Sequence, residues 1–178
     1  PTTVILDVLE IIGDNAFQGV YPFQELVLPH NVKCIGRSAF GDNPSLQRVV
    51  IPESTELIGS YAFSHCTALS DIILPHKYIE ISEDAFSGTA CVDSQSPGAA
   101  YVGNHLCCYT PYTEDGTEPD CVIPEGIEYI DAGVFHFAPP MRIFFPKSLK
   151  GVDICAFIPN ESDNEPITPH RTGNAYPV

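Results

Sequence analysis

The hydrophobic positions of this chain fall on a fixed grid. Ala16-Phe17, Ala39-Phe40, Ala62-Phe63 and Ala85-Phe86 follow one another at 23-residue steps, and two later copies, Val134-Phe135 and Ala156-Phe157, are 22 apart. A repeat this short cannot bury its own apolar face and must bury it against the next copy, so the period predicts a stacked solenoid. Aligning the copies on Pro29, Pro52, Pro75, Pro124 and Pro146 gives two inward columns just before the proline. One is Leu28, Ile51, Leu74, Ile123 and Phe145; the other is Leu26, Val49, Ile72, Cys121 and Ile143. Their alternation is that of a β-strand, which the proline ends because it has no N–H for the ladder.

Three residues after the proline comes a further inward column, Val32, Thr55, Tyr78, Ile127 and Leu149. Another follows at Ile12, Ile35, Ile58, Ile81, Ile130 and Val152, and then a column of Gly13, Gly36, Gly59, Ser82, Asp131 and Asp153. Glycine and aspartate there predict a turn with φ near or above zero. The Ala column must be small for close packing, and Val134 is a mild exception. Stacked copies place equivalent side chains about 4.8 Å apart, so the Phe column predicts a continuous aromatic spine of core residues.

The outward positions of the same strand are Val27, Val50, Ile73, Val122 and Phe144, with Glu25, Arg48, Asp71, Asp120 and Arg142 two residues before them. Together they form one apolar row beside one row of mixed charge. An exposed apolar row is a candidate partner-binding surface. Equally, β-branched residues there stabilise a sheet by packing against the same residue one copy away. The charged row makes each copy's surface distinct, which suits recognition.

Between Phe86 and Pro124 the chain runs 38 residues where the three earlier copies take 12. Gly103-Asn104, flanked by Tyr101-Val102 and His105-Leu106, is a hairpin signal. The segment reads as a divergent repeat that protrudes as a hairpin, followed by a polar loop at 113–118. It holds Cys91, Cys107, Cys108 and Cys121, four of the seven cysteines. Four cysteines allow three fully paired connectivities, and a bridge from Cys91 to Cys107 or Cys108 is expected in an oxidising compartment. Cys34, Cys66 and Cys155 sit at repeat positions and read as buried small hydrophobes.

No metal site is expected. No Cys-x2–4-Cys pair is present, and His30 and His76, in equivalent positions two copies apart, stand about 9.6 Å from each other. No nucleophile motif, phosphate-cradling Gly-rich loop or defined carboxylate pair appears, so no catalytic residue and no cofactor is predicted. Charge narrows the partners further. Twenty-three Asp and Glu against eight Lys and Arg give −15, a field that repels nucleic acid and favours cationic partners. No stretch approaches 18 consecutive apolar residues, so membrane insertion is not expected. The chain opens inside the pattern, with Val4-Ile5-Leu6, and looks like part of a longer protein. Ile167-Thr168-Pro169 reads as a decayed half-repeat leading into a tail, and Asn160-Glu161-Ser162 matches a short glycosylation sequon.

The composite Ile-Pro-x-x-Val-x-x-Ile-Gly-x-x-Ala-Phe, with Cys66 and Leu69 completing Ala-Phe-x-x-Cys-x-x-Leu, resembles the BspA-like leucine-rich repeats over about residues 5–158. The resemblance implies a mainly β, right-handed leucine-rich-repeat horseshoe of about 23-residue units, with a parallel sheet, short turns and little regular helix. It implies a single domain over 1–178, with repeats at about 5–86 and 119–158, a divergent repeat or hairpin insertion at 87–118, and a half-repeat and tail at 159–178. It also implies a surface-exposed or secreted adhesin-type module, monomeric and non-enzymatic, that binds proteins such as host matrix proteins. The alternative is spacer or scaffold repeats in a larger surface protein, with recognition elsewhere. Ser82, Asp131 and Asp153 in the Gly column, and the high cysteine count, depart from the family pattern.

Overall fold

A computed structural model describes residues 8–20, 23–95, 98–110, 120–135 and 142–157. The 113–118 loop, the half-repeat and tail, and the Asn160 sequon lie outside the described residues. The chain forms a mainly β parallel solenoid of about five turns with almost no helix.

Each regular turn carries two short strands rather than one. The strand before the proline appears as β2 (Glu25–Val27), β4 (Arg48–Val50) and β6 (Asp71–Ile73), and again beyond the insertion as β10 (Cys121–Val122) and β12 (Ile143–Phe144). The second runs through the Ile column as β1 (Ile11–Ile12), β3 (Cys34–Ile35), β5 (Leu57–Ile58) and β7 (Glu80–Ile81), then β11 (Tyr129–Ile130) and β13 (Gly151–Val152). Parallel pairing keeps every column in register: Leu26, Val49 and Ile72 face one another, as do Ile12, Ile35, Ile58 and Ile81. Sequence columns therefore become spatial columns. Thr55 shows why a polar residue is tolerated in one: its buried hydroxyl donates to the Val32 carbonyl, 3.0 Å away in the preceding turn.

On the side opposite the strands the turns are stitched by another ladder. Asn15, Phe17 and Gly19 donate their N–H groups to Arg37, Ala39 and Gly41; Ser38, Phe40 and Asp42 donate to Ser60, Ala62 and Ser64; Phe63 and His65 donate to Ala85 and Ser87. Residues at both ends of these triplets take positive φ: Asn15, Ser38, Tyr61 and Asp84 at one end, and Asp42 and His65, with Gly19 and Gly88, at the other.

This corrects the reading of the Gly column, which holds no positive-φ residue among those described. At Gly36 the requirement is space. A Cβ on Gly36 would lie 2.6 Å from the backbone nitrogen of Asp14 in the preceding turn. The left-handed positions come two residues later, on side chains as unlike as Asn, Ser, Tyr and Asp.

The Phe spine is also divided. Phe17, Phe40, Phe63 and Phe86 stack nearly parallel with centroids 5.3, 5.3 and 5.5 Å apart, and Phe135 stacks on Phe157 at 5.0 Å. Tyr109, not Phe86, is the earlier ring packed on Phe135, at 5.6 Å. Buried apolar residues split accordingly into two clusters, one from Ile12 to Val102 and one from Leu106 to Ala156.

Between them lie α1 (Ala90–Asp93), capped by the buried Thr89 hydroxyl accepting from Val92 N–H, and an antiparallel hairpin of β8 (Gly98–Val102) and β9 (His105–Thr110). Gly103 supplies the tight turn with φ +59°. The hairpin does not stand off the solenoid. His105 and Leu106 of β9 pair in parallel with Tyr129 and Ile130 of β11, so the return strand takes the place of a solenoid strand. Leu106, fully buried, fills the Ile column at that level.

Candidate interaction face and the polar seam

The outward residues of β2, β4 and β6 form a real face. Val27 is 62% exposed and Ile73 is 39% exposed, with Val50 half-buried between them. Glu25, Arg48 and Asp71 stand in register beside that row. Arg48 is clamped between the two carboxylates: its Nε lies 3.3 Å from Glu25 Oε1, and its Nη1 donates to Asp71 Oδ2. Pairs this exposed contribute little to stability. Their effect is to immobilise the guanidinium and leave one carboxylate in excess.

The five-copy row expected from sequence is not continuous. β2-β4-β6 and β10-β12 are separate sheets, because the hairpin and α1 intervene. Val122 (67% exposed) and Phe144 (49%) form their own short face, where Arg142 makes a bidentate pair with Asp120 at 2.8 and 2.9 Å. The Arg142 guanidinium also lies 6.0 Å from the Phe144 ring.

None of the seven cysteines is joined in a disulfide in the structure, so no bridge links Cys91 to Cys107 or Cys108. Cys91 packs under β8, its Sγ 3.9 Å from the Tyr101 carbonyl. Cys108 stands in the hairpin opposite Ala100, and Cys121 is buried in the second cluster. Cys34 and Cys66 are buried, as expected, while Cys155 is half-buried. Cys66 is more than a small hydrophobe. With Asn43 and Thr89, at 23-residue steps, it forms a buried column whose polar atoms reach phenylalanine carbonyls, those of Phe40 (Asn43, Cys66), Phe17 (Asn43) and Phe86 (Thr89). Burial pushes its thiol up to about 11.

Where the two halves meet, His105 and Cys107 of the insertion join a partner not expected from sequence, Asp131. His105 and Asp131 are both buried, with His105 Nδ1 donating to Asp131 Oδ1 at 2.7 Å. The Cys107 thiol donates to the other oxygen, Oδ2, at 3.1 Å. Tyr78 and Tyr129 pack on the imidazole with centroids 6.4 and 5.0 Å away. Burial, reinforced by Asp131, drives the Cys107 thiol well above its usual range, so it stays protonated, the opposite of an activated nucleophile. Asp153, one turn on, is raised by burial and then by the Asp131 charge.

Space explains why aspartate can replace glycine here. At Gly36 the backbone of the preceding turn sits where a Cβ would go. At Asp131 the preceding level is the straight strand β9, and the side chain fills the room with hydrogen bonds to His105 and Cys107. The sequence signal was available as a carboxylate in a glycine column. Among the described residues no group of three His, Cys, Asp or Glu is disposed to hold a metal, and no helix is long and apolar enough to cross a membrane.

A parallel β solenoid with stacked phenylalanines, a glycine column and prolines ending its strands defines a leucine-rich-repeat protein. Residues 2–103 match the BspA type Leucine rich repeat region in six copies, and the chain belongs to that family. Among solved structures it is similar to a leucine-rich repeat protein from Bacteroides ovatus, at 22% identity and a TM-score of 0.48, over 83% of this chain and 47% of that one. It is also similar to the pneumococcal vaccine antigen PcpA, at 18% identity and a TM-score of 0.40, over 81% and 50%. The chain thus spans about half the length of each. Comparison with curated proteins gives no match. Repeats of this family are common in protein-interaction and surface-protein modules.

Proposed function

We propose that this chain is a non-enzymatic recognition module of a surface-exposed or secreted protein, one folded domain that acts as a monomer. It binds a protein partner, of the host extracellular or matrix class, through the outward residues of β2, β4 and β6. The observation that carries this reading is the exposed row Val27, Val50 and Ile73, held in register on three successive strands. Apolar side chains held together in water on a rigid sheet gain free energy when a partner covers them. Neither nucleic acid nor membrane suits so acidic a surface.

The test is capture of extracellular host proteins by the chain and by its Val50→Asp and Ile73→Asp variants. Capture is expected to vanish in both while the melting temperature stays near that of the parent. Normal capture by both variants would remove the face from consideration. A second reading, spacer repeats, is favoured by the charged rows, in which Lys33, Arg48, Arg142 and Lys150 already pair with carboxylates of adjacent turns. A spacer would retain nothing above background.

A further inference from the structure

We infer that the β2-β4-β6 face docks a basic amphipathic helix of its partner, an inference that rests on the recognition reading above. Two observations select this occupant. The first is spacing. The apolar row steps from strand to strand at about 4.8 Å. A helix presents one apolar stripe with neighbours about 5–6 Å apart, close enough to seat three anchors on Val27, Val50 and Ile73 when it lies across the strands. An extended segment repeats on one face only every 6.6–6.8 Å or so, and falls out of step by about 4 Å over the same three rows. A second copy of this chain cannot supply the helix from its described residues, whose only helix has four residues.

The second observation is charge. Over the full sequence the two parts are nearly equal, twelve Asp and Glu against four Lys and Arg (−8) for residues 1–95 and eleven against four (−7) for residues 96–178. The distinguishing charge is local to the face, where Glu25 and Asp71 flank one Arg48. Three of the four cations of residues 1–95 are already engaged: Lys33 by Glu10 at 2.9 Å, Arg48 by both Glu25 and Asp71, and Arg37 at 5.5 Å over the Tyr61 ring. An anionic partner finds no free guanidinium on the face. A Lys or Arg next to a helix's apolar stripe meets Glu25 and Asp71, which share a single counter-charge. Complementarity of this kind acts on encounter rate and orientation.

The experiment uses fluorescent peptides of about 14 residues, roughly four helical turns, and the whole chain. One has a three-leucine stripe flanked by lysines, a second has glutamate for lysine, and a third has a central proline. Saturable binding of the first alone is expected. Glu25→Gln with Asp71→Asn should weaken it roughly tenfold, since each exposed pair is worth up to about 1 kcal/mol. Arg48→Met should strengthen it several-fold by freeing both carboxylates, and Glu10→Gln with Glu128→Gln, away from the face, should leave it unchanged.

Equal binding of the proline peptide would overturn the helix, and equal binding of the glutamate peptide would overturn the charge argument. Equal weakening by the distant pair would reduce the effect to general attraction by an acidic protein. If host-protein capture depends on Val50 while the lysine peptide does not bind, the face survives and the basic helix is wrong.

Discussion

Phe17, Phe40, Phe63 and Phe86 make an unbroken ring stack, whereas beyond the insertion, among the described residues, only Phe135 and Phe157 stack, with Tyr109 tilted onto the first of them. Both regions use the same columns. Before the insertion the join between turns is repetitive, with stacked rings at every step and Asn43, Cys66 and Thr55 each donating to a carbonyl of the preceding turn. Across it the join is polar and made once, by His105, Asp131 and Cys107. A stack of identical contacts tolerates variation on its surface, because no single turn is unique. A join made from three specific side chains does not.

The sharpest way to break this comparison is to truncate one ring in each region. Phe63→Ala removes a fully buried ring with a partner on each side and should cost about 3–5 kcal/mol. Phe157→Ala, half-exposed with one stacked partner, should cost clearly less. Equal losses in urea denaturation would show that the stack is not what distinguishes the regions. Next is the seam. Asp131→Ala strands the His105 N–H and Cys107 S–H without their acceptor and should destabilise by about 3 kcal/mol. Hydrogen exchange in that variant should rise first at Leu106 and Ile130.

Alkaline titration separates the regions by chemistry. Cys66 is held protonated by burial, so its contribution is complete below its ordinary 9.0 and is lost as pH climbs from there to about 11. A loss of about 2–3 kcal/mol across that interval is expected. Cys66→Ala should remove that share of the alkaline loss, leaving the shares of Cys34, Cys91, Cys107 and Cys121, whose thiols burial also raises. Gly133 offers a smaller effect: its φ is +73°, and an added Cβ would lie 2.7 Å from Glu83 Cγ. Gly133→Ala should cost about 1–2 kcal/mol, against almost nothing for Gly13→Ala, where no atom lies within 4 Å. The least effect is Ser38→Gly, which relieves a left-handed serine and should stabilise by up to about 1 kcal/mol by thermal melting.

Much of this was legible in the chain because each column stands for one position in space. The proline-terminated strand, the Phe column and the hairpin at Gly103-Asn104 follow from spacing alone. The second strand was visible only as its inward half, the Ile column. Its two-residue length left no alternation to read, and the residue before each Ile ranges over Ile, Cys, Leu, Glu and Tyr. The left-handed positions were hidden for a similar reason, since backbone bonding between turns sets them and their side chains share no chemistry. The seam could be suspected from Asp131 but not paired with His105, because the hairpin's straight return strand breaks the count between them. Glu25, Arg48 and Asp71 open β2, β4 and β6, whereas Asp120 and Arg142 fall just before β10 and β12, and the division of the rows into two faces depends on how that hairpin joins the sheet.

The ladder on the turn side has a consequence beyond holding turns together. All eight of its N–H groups, from Asn15 to His65, point to the residue 22 positions on. Their peptide dipoles therefore lie head to tail along the solenoid, as they do along an α-helix. That edge of the first four turns is a polarised rod with its positive end at the fourth turn. There the adjacent carboxylates Glu83 and Asp84 sit where negative charge is favoured, which gives the insertion a fixed electrical boundary on one side.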